Sequence, residues 1–219
     1  MQTRKSGAAI GALSRRVVLI TAGLWPAVAS AQKQQKPAPR PPQPAISAAR
    51  SIMAGAPLSV FLSNAPQGAR LAIARPDDPD EKAIVVLQPK TTVPSLQTPG
   101  AVGAYELRLT VEKDGAPQIL LRQPFVTTEP SATLAAPERV GHSQALPVRG
   151  IGPNGEQDRV VLVQPEAPAE ADGPRFFPAE NVEATLEAPE QPGVYELRYV
   201  MNAPISGPVI LARRPIKVE

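Results

Sequence analysis

From residue 45 onward the chain alternates apolar and polar positions in short runs, each closed by proline, glycine or acidic residues. A period of two over four to eight residues is the mark of a half-buried strand, and such punctuation belongs to turns. The pattern predicts strands near 45–48, 58–63, 69–75, 83–87, 91–97, 103–112 and 118–127. A second set is expected near 132–135, 145–151, 158–164, 182–187, 193–201 and 208–218. The run Gly103-Ala104-Tyr105-Glu106-Leu107-Arg108-Leu109 fixes faces most clearly. Alternation puts Tyr105, Leu107, Leu109 and Val111 on one face, toward a core. It turns Glu106, Arg108 and Glu112 to water. By the same rule Tyr195, Leu197 and Tyr199 face inward, and Glu196 and Arg198 outward.

These strands fall into two copies about 90 residues apart. Gly103–Leu109 is matched by Gly193-Val194-Tyr195-Glu196-Leu197-Arg198-Tyr199. About 17 residues beyond each tyrosine, Leu120-Leu121-Arg122-Gln123-Pro124-Phe125 parallels Leu211-Ala212-Arg213-Arg214-Pro215-Ile216. Upstream, Ala45–Ala49 parallels Ala132–Ala136. The period is too long for a solenoid unit and suits a small domain. Six or seven short strands in such a length indicate a β-sandwich. A glycine turn followed at once by a tyrosine that opens a long strand resembles a tyrosine corner, in which the phenol bonds upstream backbone. Tyr105 and Tyr195 are assigned that structural role, with ligand binding as the alternative.

The opening run Ala48–Val60, the strand Pro192–Val200 and the closing Leu211–Ile216 are similar to the tandem bacterial immunoglobulin-like repeats of exported proteins, some of which carry von Willebrand A domains. The resemblance covers 45–219. It implies an all-β chain of two tandem immunoglobulin-like β-sandwiches, at 45–130 and 131–219, and no catalytic residues. The Asp-x-Ser-x-Ser motif of a von Willebrand partner is absent from the sequence, so such a partner would be another chain.

Composition refines this picture. The 28 prolines and 15 glycines suit strands joined by turns rather than helices, and 42% hydrophobic residues permit a core. The net charge of +3 is unevenly spread: 1–31 carries +4, 32–44 carries +3, 45–130 is neutral and 131–219 carries −4. A nucleic-acid binder would concentrate positive charge on its folded part, so nucleic acid is not expected. With no cysteine, disulfides, thiolate metal sites and a lipidated N-terminal cysteine are ruled out.

Residues 1–31 read as an export signal. A basic stretch precedes the apolar Val17–Ala29, and Ala29-Ser30-Ala31 offers small residues for cleavage before Gln32. A retained anchor is the alternative, although the apolar run is short of the ~20 residues a span needs. Arg15-Arg16 followed by Val17-Val18-Leu19 is similar to a twin-arginine motif, with a general secretory signal as the second route. The expected location is the periplasm or the exterior of a bacterium. Residues 32–44, with five prolines and no large apolar side chain, read as a disordered or polyproline linker.

Candidate chemistry is sparse. His142 is the single histidine and reads as a turn residue. Asp77, Asp78, Asp80 and Glu81 form the densest acidic cluster. Without an alternating calcium-loop pattern it reads as a solvated interaction loop, with calcium as the alternative. Gly150–Gly155 lacks a P-loop lysine, and Asn154-Gly155 reads as a hairpin turn. Phe176-Phe177 is assigned to the second core, with an exposed recognition patch as the alternative. No cofactor and no metal are expected. The function expected is a non-enzymatic envelope module binding an unidentified envelope protein. A small-ligand or glycan-binding protein is the alternative, disfavoured by only 4% aromatics. Differences in function between the copies are expected in loops 76–82 and 165–181.

Overall fold

The structure, a computed structural model, describes residues 42–219. All regular elements among them are strands. In the first half these are β1 (Ala45–Ala48), β2 (Ser51–Met53), β3 (Pro57–Ser63), β4 (Arg70–Ala74), β5 (Val85–Leu87), β6 (Ser95–Gln97), β7 (Gly103–Lys113) and β8 (Ala116–Thr128). The second half repeats them as β9 (Thr133–Ala135), β10 (Arg139–Val140), β11 (Ala145–Ile151), β12 (Arg159–Val163), β13 (Arg175–Phe176), β14 (Glu183–Glu187), β15 (Gly193–Ala203) and β16 (Gly207–Val218). The first half builds a three-stranded sheet, β1-β3-β6, and a five-stranded sheet, β2-β8-β7-β4-β5. The second half builds β9-β11-β14 and β10-β16-β15-β12-β13, the same order strand for strand.

The short strands β2 and β10 escape the alternation rule because each is only two or three residues long. They are the strands that pair in parallel, against β8 and β16, while the other pairings are antiparallel. Asn154-Gly155 is not a hairpin. Its flanking strands β11 and β12 lie in different sheets, so the turn carries the chain from one sheet to the other. The two-residue hairpin is Asp114-Gly115, both at positive φ, between Lys113 and Ala116.

Each pair of sheets encloses its own core. Leu58, Val60, Leu71, Ile73, Leu107, Leu109 and Phe125 fill the first; Leu146, Val148, Val160, Leu162, Leu197, Tyr199 and Ile216 fill the second. Tyr105 stacks on Phe125 with ring centroids 5.9 Å apart. The long hairpins share a bulge at the same place: the register slips between Leu109 and Thr110, and again between Tyr199 and Val200. The unpaired extra residues are Leu120 and Leu211, the leucines that open the second repeated motif.

The sandwiches meet through residues without room for a side chain. The Gly100 N–H donates to the Pro204 carbonyl at 2.9 Å, and Gln97 Nε2 donates to the Asn202 carbonyl at 3.1 Å. A Cβ on Gly100 would lie 2.1 Å from Ser206 Oγ, one on Gly55 2.5 Å from Met201 Sδ, and one on Gly155 2.2 Å from Gln97 Nε2. Behind this joint the buried Asp158 accepts from the backbone N–H groups of Gly155 and Asn202 and from the Tyr199 hydroxyl, each at 2.9 Å. Burial outweighs these donors and pushes the Asp158 carboxyl above its ordinary value. Burial, and then the charge of Asp158, raise the Tyr199 phenol in turn.

Candidate interaction surface

The two repeated motifs converge on one local construction. In β7, Tyr105 Oη donates to the Ala101 carbonyl at 3.1 Å; in β15, Tyr195 Oη donates to the Gln191 carbonyl at 3.0 Å. Each bond closes the corner four residues upstream of the tyrosine. In both copies this corner opens the central strand of its five-stranded sheet, between β8 and β4 or between β16 and β12. The fold is the immunoglobulin-like sandwich, present twice.

Two residues after each tyrosine corner the structure overturns the alternation reading. Arg108 and Arg198 do not face water: they are 0% and 1% exposed. Their strand positions do point away from the core. The connection after β4 or β12, however, folds back over that outer face and buries them. The partner strands show the same covering, since Leu71–Ala74 and Val160–Val163 are buried on both faces. Glu106 is buried as well, and Glu196 is half-buried, while Glu112 stays exposed.

Arg108 spends its five N–H donors inside this fold. Nε reaches Glu106 Oε1 at 2.6 Å, Nη1 the carbonyls of Pro79 and Lys82 at 2.8 and 3.1 Å, and Nη2 those of Arg75 and Asp78 at 3.2 and 2.7 Å. Arg198 does the same, bonding Glu196, the carbonyls of Gln164, Ala167 and Pro168, and that of Pro165. A third repeated residue completes each cluster. Arg122 pairs with Glu106 and with Asp80 Oδ1, and Arg213 pairs with both oxygens of Glu196. Burial works against the Glu196 carboxylate, but the hydrogen bonds from Arg213 and Arg198 outweigh it and hold it below the usual range.

This geometry settles what the acidic loop is built around. Its carbonyl oxygens, which a calcium loop would aim at a cation, are aimed at the Arg108 guanidinium. Asp78 is held by Lys82 Nζ at 2.7 Å and by the Arg75 N–H at 3.2 Å, and these bonds lower its carboxyl. Asp80 is held by Arg122, and Asp77 is exposed. Loop 165–181 is likewise pinned at its start by Arg198, and Arg159 Nη2 bonds the Ala169 carbonyl at 2.7 Å. Phe176 and Phe177 part company: Phe176, in β13, packs against the second core, while Phe177 is 36% exposed. The His142 N–H bonds the Glu219 carbonyl at 2.9 Å, which ties the turn after β10 to the last residue. Arg15, Arg16, Ala29 and Ala31 lie outside the described residues. A groove beside Arg70, Glu112 and Val86 holds about 280 Å³. Other surface grooves hold about 370 to 620 Å³, and an Arg70–Glu112 ion pair stands at the rim of this one.

The surface that distinguishes the copies is the outer face of the three-stranded sheet. Register pairs Ser59 with Ser95, and the Val60 and Leu62 N–H groups bond the carbonyls of Pro94 and Thr92. This places Phe61 opposite Val93, with Ser47 on its other side. Phe61 is 63% exposed and Val93 47%. No residue of β1, of β3 or of 91–97 is charged. In the second sandwich the equivalent pair is Arg149 and Glu183, directly opposed in β11 and β14 and joined by an ion pair at 3.5 Å. One framework therefore carries an ion pair at this spot in one copy and an exposed apolar pair in the other.

No family model matches the chain, and no curated protein matches it. Solved structures do resemble it. They include the FN1–FN3 domains of chicken CNTN1, at 9% identity and a TM-score of 0.30, with 79% of this chain and 63% of that one covered. The three N-terminal domains of the outer capsid protein Hoc of bacteriophage RB49 resemble it at 12% identity and a TM-score of 0.31, covering 80% and 58%. The adhesin InvE of Yersinia pseudotuberculosis does so at 13% and 0.28, covering 80% and 58%. The chain spans less than two thirds of the length of these three structures. At such scores the likenesses carry no argument about function, and the fold rests on the strand order and the tyrosine corners.

Proposed function

We propose that this chain is a non-enzymatic interaction module, exported to the periplasm or exterior of a bacterium, that contacts protein through the outer face of its first three-stranded sheet. One observation carries the reading. Phe61 and Val93 stand exposed on an uncharged face, at the positions where the sister sandwich keeps an ion pair. An exposed apolar patch costs solubility and marks a contact surface. The buried charged side chains support the same view. Glu106, Arg108, Asp158 and Arg198 are each engaged by backbone or by one another, in the service of loops and joint. They build a scaffold rather than a set of groups converging on a substrate.

Export is proposed on the three-part pattern of residues 1–31 and is tested by N-terminal sequencing of the protein from a native-host envelope fraction. A mature start at Gln32 is expected, and a start at Met1 in a cytoplasmic fraction contradicts it. The contact role is tested by chemical crosslinking in intact cells. The wild type is compared with F61R/V93E, a double variant that transplants the sister sandwich's ion pair. Crosslinked products present in wild type and lost in the variant are expected. The same products in both would refute the assigned surface.

A further inference from the structure

We infer that the occupant of the Phe61 face is the same face of a second copy of this chain; this rests on the contact role proposed above. The argument begins with charge. A partner that laid a charged side chain against Phe61 and Val93 would leave that charge desolvated and unpaired, because β1, β3 and 91–97 offer no counter-charge. The matching surface is therefore uncharged. Of the two three-stranded faces described here, the second carries Arg149, Glu183 and Glu187, so the face that satisfies the requirement is the first one itself. A two-fold axis through a self-complementary patch closes without leaving further sticky surface.

Shape supports the same occupant. Apart from Val93 opposite it, the side chains around Phe61 on this face are small: Ser47 on its other side, with Ser59, Ser63 and Ser95 diagonal or adjacent along the strands. Two such sheets packed about 10 Å apart would set each Phe61 over the serines of the other copy. Three strands of up to seven residues make a face of about 14 by 23 Å, so roughly 600 Å² in all is covered when two faces meet. That is about half of the ~1,200 Å² of a stable complex. The pairing is therefore weak and shows only at high protein concentration.

The test is sedimentation equilibrium of the full chain from about 20 μM to about 1 mM, wild type against F61R/V93E. The second sandwich already accommodates Arg and Glu at these positions, so the variant folds; an unchanged far-ultraviolet dichroism spectrum checks this. Both proteins share residues 1–44, so any association through that segment is common to the pair. The expected result is a wild-type average mass that climbs toward twice the monomer, and association in the variant at least tenfold weaker. Identical concentration dependence in the two proteins overturns self-pairing. Crosslinking of Phe61 to a different protein, with wild type monomeric, also overturns it while leaving the contact role intact.

Discussion

Replacing Arg108 with methionine removes the guanidinium but keeps the length of the side chain. Five donors are lost at once, and the carbonyls of Arg75, Asp78, Pro79 and Lys82 lose their partner beneath the loop. Glu106 keeps Arg122 as a counter-charge, so the carboxylate is not stranded. Breaking a buried pair costs about 3–5 kcal/mol, and the retained Arg122 sets the expectation at the lower end, about 3 kcal/mol. At about 4–8 °C per kcal/mol for a domain of this size, the first sandwich should melt at least 12 °C earlier. Residues 75–82 should also lose amide protection, because the side chain that holds them is gone. Calorimetry and hydrogen exchange read the two effects. Arg70→Met is the control: its ion pair with Glu112 is 3.4 Å long with both side chains more than half exposed, so its loss should cost under about 1 kcal/mol. An Arg108→Met protein within 1 kcal/mol of wild type, with the loop still protected, would refute the reasoning.

Other expectations follow from the same geometry. Tyr195→Phe removes the bond to the Gln191 carbonyl and should cost about 1–2 kcal/mol in urea unfolding; no measurable loss would show the corner to be incidental. Gly155→Val should open the joint, since its Cβ has Gln97 Nε2 at 2.2 Å and the Gly55 carbonyl at 2.9 Å; a larger radius of gyration in small-angle scattering and separated melting transitions are expected. The Asp158 carboxyl titrates above its unfolded value of 3.8, so protonation favours the folded state. Stability measured relative to Asp158→Asn should rise as pH falls through the folded value, and the gain should be complete below 3.8. Glu196, held below 4.5, gives the opposite sign: relative to Glu196→Gln, wild-type stability is lost as pH falls below 4.5 through the folded value.

Much of this architecture is written in local pattern. Period-two alternation locates the long strands, and the repeat pairs Tyr105 with Tyr195 because each copy must solve the same corner. What alternation cannot convey is a loop that folds back. Arg108 occupies an outward strand position, and only the path of residues 75–82 turns that position into an interior. A signal was available: Glu106, Arg108 and Arg122 recur as Glu196, Arg198 and Arg213, and solvated positions have no reason to repeat a charge set across copies otherwise so different. The pinned loops also account for why 76–82 and 165–181 diverge in sequence: their backbone carbonyls, not their side chains, grip the arginine. The Phe61 face was legible too. In Pro57-Leu58-Ser59-Val60-Phe61-Leu62-Ser63 the inward positions are leucine and valine, and parity alone places Phe61 outside. Its meaning emerges only when the ion pair Arg149–Glu183 is seen at the same place in the sister sandwich. The parallel strands β2 and β10 are too short to show any period.

The most direct test of the contact role is a photo-reactive phenylalanine analogue placed at position 61 or at position 149 and illuminated in living cells. The two positions are structurally equivalent, so they differ in surface chemistry and not in framework. Crosslinked product at position 61 and none at position 149 is the expected result. Product at both positions alike, or at neither, would contradict the assignment of the uncharged face as the surface through which this chain works.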